Sequence, residues 1–107
     1  MGDATGRAMS ERWPFIAVYM MSSRPFGPIY IGVTSNLPQR VVDHREGRAD
    51  GFTKRYGLKM LVWYEPHEVM TEAIQREKSL KRYYRAWKMT LIERANPGWN
   101  DLSGEIL

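Results

Sequence analysis

Two short apolar runs flanking SSRPFGP constrain this chain more than any other feature. In the first, Ile16, Val18 and Met20 alternate with Ala17 and Tyr19. In the second, Ile29, Ile31 and Val33 alternate with Tyr30, Gly32 and Thr34. A side-chain period of two marks a strand with two distinct faces. The segment between holds Gly27 and two prolines, which is turn chemistry. The runs are therefore expected to pair as an antiparallel hairpin. Paired this way, the aliphatic set packs on one face, while Tyr19, Tyr30 and Gly32 share the other.

A helix start follows. Asn36 can cap it, Pro38 is tolerated in its first turn, and Gln39 occupies the reciprocal capping-box position. The helix is expected to run to about Glu46, where Gly47 stops it. Arg40 and His44 are four residues apart and project from one face of it. The polar connection GRADGFTKRYG has room for a short helical turn around Thr53 to Tyr56. Leu58 to Glu65 reads as a third strand, ended by Pro66. From about Val69 to Ala95 a long helix is predicted, closed by Asn96-Pro97-Gly98. Its inward stripe is Ala73, Glu77, Leu80, Tyr84, Trp87 and Leu91. The tail WNDLSGEIL then returns along the domain, with Trp99 as a core plug and Asn100 beside it.

At 107 residues this is one domain, expected over residues 13–107 after a loose polar tail at 1–12. Cysteine is absent, which removes disulfides and thiolate metal sites. No run approaches the ~18 apolar residues of a membrane span, and the first residues lack a signal-peptide core. A cytoplasmic protein is expected. Sixteen Lys and Arg against twelve Asp and Glu give a net charge of +4. The cations gather in residues 40–48, 54–59 and 76–88, a distribution suited to a polyanion. Lys54, Arg55, Lys81, Arg82, Arg85 and Lys88 are the candidate nucleic-acid contacts. The run KRYYRAWK has the composition of a base-stacking surface. Because Tyr84 and Trp87 fall on the core stripe, only Tyr83 and the cations are expected to face a ligand. There is no Gly-rich phosphate loop, no Ser-His-Asp set with an elbow, and no HExxH pair.

Glu77 stands out because a carboxylate on an apolar stripe is costly unless it is paired or bound to a cation. Two readings are open: a salt bridge to Lys81 one turn on, or a single-carboxylate Mg²⁺ site completed by water. Arg40 and His44 are likewise either a solvated helix face or a phosphate clamp with a proton relay. Tyr19 and Tyr30, taken singly, read as strand packing as readily as chemistry.

Tyr19, the run Tyr30-Ile31-Gly32, Arg40, His44, Glu77 and Asn100, in this order, resemble the GIY-YIG nuclease family over residues 13–102, most closely its small stand-alone members. The first motif stands as Ala17-Val18-Tyr19, with alanine for the family's glycine. The resemblance implies an α+β fold, a small three-stranded antiparallel sheet flanked by helices. It also implies metal-dependent cleavage of DNA phosphodiesters with Mg²⁺ or Mn²⁺, on structured or damaged DNA. By resemblance, Tyr19 would help activate the attacking water and Tyr30 would position the water or the phosphate. Arg40 would steady the developing phosphorane charge, and His44 matches a histidine of several branches. Glu77 would bind the metal, and Asn100 would support the site. Val33 stands where incision subunits of nucleotide-excision repair carry a lysine, leaving His44 to tune the tyrosine. Family members usually carry a separate DNA-binding domain, so specificity here would come from the basic surface, an oligomer or a protein partner. DNA is the expected partner, with RNA left open and no membrane. The alternative is a nucleic-acid-binding module of the same fold without turnover.

Overall fold

The computed structural model describes residues 15–49 and 51–107. The tail expected at 1–12 lies outside the described residues. The two alternating runs form strands β1 (Ala17–Ser22) and β2 (Tyr30–Thr34), joined by the predicted turn. Helix α1 (Leu37–Arg45) and the short α2 (Gly51–Tyr56) lead to β3 (Met60–Pro66). Helices α3 (Met70–Lys81), α4 (Arg85–Ala95) and α5 (Ser103–Ile106) complete the chain. The sheet is antiparallel throughout, in the order β2-β1-β3. This is the expected α+β arrangement.

Every residue of β1 is buried, because the central strand is covered on both sides. On one face Ala17, Tyr19 and Met21 pack with Leu37 and Val41 of α1, Leu61 of β3 and Ile106 of α5. On the other, Val18, Met20 and Ile31 pack with Ala73 and Leu80 of α3, Ile92 of α4 and Trp99. Asn36 caps α1 as expected, its side chain accepting from the Gln39 amide at 3.3 Å. The Gln39 side chain does not close a capping box; it donates to Asp43 at 3.0 Å. The helix ends at Arg45, and Gly47 follows with φ +78°, a left-handed turn that favours glycine.

The long helix expected over residues 69–95 is two helices. The backbone tightens at the end of α3, where Arg82 N bonds Ser79 O and Tyr83 N bonds Leu80 O. Tyr84 then adopts an extended conformation (φ −62°, ψ 153°), which interrupts the helix before α4 begins. No glycine or proline marks the break. Its consequence is large: Tyr84 is 76% exposed and Trp87 58% exposed, so neither belongs to the core stripe. Ile92 supplies the fully buried contact of α4 instead.

β3 carries a bulge. Met20 faces Trp63 and Met21 faces Leu61, which leaves Val62 as the extra residue. A bulged residue has no ladder partner for its carbonyl. Here Asn96 provides one, donating from Nδ2 to Val62 O at 3.0 Å and to Asn100 O at 2.8 Å. Its Oδ1 accepts from Asn100 N at 3.0 Å. Asn96 is thus a buried clasp between the bulge and the C-terminal tail, beyond its role in ending α4. Asn96→Ala is expected to cost about 1–3 kcal/mol by stranding the Val62 carbonyl. Asn100→Ala, whose bonds to Asn96 use only backbone atoms, should stay within about 0.5 kcal/mol. Urea denaturation of both variants checks the contrast.

Candidate active site

Register determines which side chains meet. Tyr19 lies opposite Gly32 and Met21 opposite Tyr30, so both tyrosines and Gly32 share a face, as strand parity requires. The Tyr19 ring lies directly over Gly32. A Cβ at position 32 would meet the phenol oxygen at 2.5 Å and Cζ at 2.6 Å. Glycine is needed there for close approach, with no demand on backbone conformation.

Helix α1 covers this face with Leu37, Val41 and His44, spaced to fall on one side. His44 is 2% exposed and Tyr19 fully buried, and Tyr19 Oη lies 2.9 Å from His44 Nε2. The imidazole packs edge-on against both tyrosines, with centroids 5.5 Å apart in each case. The tyrosine rings lie 6.3 Å apart.

Arg40, one turn before His44, stands at the mouth with its side chain 38% exposed. Partial burial works against its charge, but interaction with the phenols of Tyr19 and Tyr30 and with Asp43 outweighs this. Its pKa accordingly rises above the usual arginine value, and it is a permanent cation. Asp43 is held below the ordinary carboxylate range by the Gln39 hydrogen bond and by Arg48, burial acting the other way. Its close partners, Gln39 and Arg48, both lie at 3.0 Å, whereas Arg40 lies at 3.9 Å. Asp43 therefore engages the Arg40 fork only loosely, and Tyr19 is its hydrogen-bond neighbour. The bond between Tyr19 Oη and His44 Nε2 runs in the direction set by which ring nitrogen of His44 carries the proton, and Arg40 is a second hydrogen-bonding neighbour of the phenol.

The structure thus brings Tyr19, Tyr30, Arg40 and His44 together. Glu77 and Asn100 do not join them by hydrogen bond or ion pair. Glu77 lies on α3, which packs through Ala73 and Leu80 on the opposite face of the sheet. Its side chain is 14% exposed and bonds Lys81 at 2.8 Å, so the salt-bridge reading is realised. Asn100 is exposed in the C-terminal loop and tied to Asn96. Of the cations, Lys54 and Arg55 are exposed on α2, and Lys81, Arg82 and Arg85 are exposed at the α3–α4 junction, with Lys88 partly so. Arg85 also donates to the Phe26 and Gly27 carbonyls, at 2.9 and 2.8 Å, pinning α4 to the hairpin turn.

Two aromatic neighbours were not singled out in the sequence. Phe52 stacks on Tyr30 (centroids 6.3 Å, planes 27° apart), and Tyr56 packs on Phe52 at 5.0 Å. Their spacing of four residues inside a polar, cationic connection was the available signal.

A half-buried phenol and a cation at the mouth of a buried phenol–imidazole pair, on a three-stranded sheet, form an arrangement suited to binding and polarising an anion. The GIY-YIG catalytic domain matches residues 15–90. The chain belongs to the GIY-YIG family, a family of nuclease domains, and this implies a nucleic-acid substrate. It is similar to a UPF0213 protein of Staphylococcus haemolyticus, 32% identical over 65 residues, which are 61% of this chain and 79% of that one. A UPF0213 protein of Staphylococcus epidermidis is 31% identical over 67 residues (63% and 82%). One of Staphylococcus aureus is 34% identical over the same length and shares. No solved structure matches the chain. No described helix is long and apolar enough to cross a membrane.

Gly32→Ala is expected to push Tyr19 away from His44 and destabilise the fold by about 1–3 kcal/mol. Urea denaturation measures the loss, and NMR of the His44 ring reports whether the bond to Tyr19 is broken.

Proposed function

We propose that the protein is a metal-dependent DNA endonuclease that hydrolyses phosphodiester bonds in structured or damaged DNA, acting in the cytoplasm and in DNA repair. The observation that carries this reading is the convergence of Arg40 and Tyr30 on the mouth above the buried Tyr19–His44 pair. Phosphoryl transfer needs cationic stabilisation of a charged transition state and an oriented water. The planar fork of Arg40 can engage two phosphate oxygens together. Tyr30, half-buried at the rim, orients the phosphate or the water. Tyr19 is fully buried, so it acts through its neighbours, bonded to His44 Nε2 and hydrogen-bonded with Arg40. A phenol with an ordinary pKa near ~10 is a poor base at neutral pH, and His44 Nε2 is the ring nitrogen within reach of its oxygen.

Among the described residues no group of three or more His, Cys, Asp or Glu could hold an ion. A caged site is therefore not what the donor set supports. A lone carboxylate does suit Mg²⁺ or Mn²⁺ held largely by water and substrate phosphate. Glu77 would be that carboxylate, on a helix that packs across β1 and the edge strand β2 from the face opposite Tyr19 and Tyr30. Its partner Lys81 is exposed and would have to share or release it. When bound, the ion would neutralise phosphate charge and ease departure of the leaving oxygen. Asn100 would support the site from the C-terminal loop. Substrate choice would come from Lys54, Arg55, Lys81, Arg82, Arg85 and Lys88, from an oligomer, or from a protein partner.

The pairing of Glu77 with Lys81 favours a second reading, a nucleic-acid-binding module without turnover. A panel of nicked, flapped, branched and single-stranded DNA in Mg²⁺ or Mn²⁺ separates the two. Wild type should nick at least one substrate. Arg40→Ala should slow nicking about 10²–10³-fold. Tyr19→Phe should slow it with DNA affinity unchanged, and Glu77→Ala should remove the metal-dependent rate. Salt-sensitive binding with no cleavage of any substrate would establish the binding module instead.

A further inference from the structure

The site described above does not end at Tyr30. A line of rings leads outward from it: His44 against Tyr30, Tyr30 against Phe52, and Phe52 against Tyr56. Burial falls along the line. His44 is 2% exposed, whereas Phe52 is 46% and Tyr56 51% exposed. The outer two rings sit four residues apart on α2, whose buried anchor is Thr53. Packing alone would turn such large rings inward, and half of each remains in water. The surroundings are cationic. Lys54 and Arg55 are exposed on the same helix, and the Arg55 guanidinium lies 5.7 Å from the Tyr56 ring centroid.

We propose that Phe52 and Tyr56 form a stacking subsite for an unpaired nucleobase next to the phosphate that Arg40 engages; this rests on the nuclease reading of the Arg40 site. Tyr30 connects the two halves. Its ring meets Phe52, and its phenol lies within Coulombic reach of Arg40. A phosphate at Arg40 and a base on Phe52 are thus placed on either side of one residue, as the two parts of a single nucleotide require. Inside a duplex both faces of a base are covered by its neighbours, so an exposed ring can stack only on a base that has left the helix. Sequence preference should be weak, because every base offers a π-face. Lys54 and Arg55 supply the charge complementarity for the backbone on either side. An apolar protein segment would find these rings bordered by cations, a setting better matched to a polyanion.

The test uses the full chain in EDTA, where cleavage is stopped, with single-stranded oligonucleotides carrying 2-aminopurine. Wild type should quench the fluorophore on binding. Phe52→Ala and Tyr56→Ala should lose the quench and bind about five- to a hundredfold more weakly. Phe52→Leu keeps apolar bulk against Tyr30 without the π-face and should behave like Phe52→Ala, while Phe52→Tyr should quench as wild type does. Binding of a fully paired duplex should be the same for all. Equal quenching and affinity in wild type, Phe52→Leu and Tyr56→Ala would overturn the subsite, and if Arg40-dependent nicking persisted the nuclease reading would stand. Loss of quench in the ring variants, with no nicking by wild type in Mg²⁺ or Mn²⁺, would keep the stacking surface and remove the nuclease.

Discussion

The contact on which the rest depends is the Tyr19 ring lying over Gly32 with its hydroxyl against His44. It joins β1, β2 and α1 through one side chain. The ring occupies the space a Cβ would take on β2, so the two strands and the helix above them share a single arrangement. A buried phenol and a buried imidazole both need polar partners, and Tyr19 Oη and His44 Nε2 supply one to each other. Once Tyr19 is held there, Arg40, one turn back on α1, stands at the mouth. The site is in this sense a consequence of core packing.

The opposite face solves a different problem. β3 must accommodate an extra residue at Val62, and the carbonyl that loses its ladder partner is met by Asn96. Asn96 also grips the backbone of Asn100, which keeps the tail near the sheet so that α5 can cap the Tyr19 face through Ile106. The two faces are therefore coupled through the tail. Asn100 contributes backbone to this clasp, and in the structure Asn96 does the buried work.

Much of this was legible in the residues. Period two predicted the hairpin and placed both tyrosines and Gly32 on one face, because a pleated strand allows its side chains only two directions. The cap at Asn36 and the left-handed exit at Gly47 are local, and local chemistry determined them. The break near Tyr84 was not legible. The spacing of apolar residues stayed helical through it, and no glycine or proline interrupts the run. The turn is tertiary: α4 packs on β3 through Ile92 and is pinned by Arg85 to the carbonyls of the β1–β2 turn. For the same reason helical spacing points Tyr84 and Trp87 to a core they do not enter. Glu77 was rightly marked as a carboxylate with little access to water, but whether Lys81 or another cation answered it depended on three-dimensional placement.

By itself the sequence determined the strands, the shared face of Tyr19, Tyr30 and Gly32, the projection of Arg40 with His44, and the family to which these belong. All are short-range or periodic properties, carried by neighbours within a few residues. Only the tertiary structure decided that Tyr19 is sealed from solvent against His44 and that Phe52 and Tyr56 extend the line of rings outward from Tyr30. It alone decided, too, that α3 and α4 are separate helices. Those outcomes depend on which elements meet across 22 to 59 residues of sequence, where side-chain volume and polar satisfaction across the sheet outweigh local pattern.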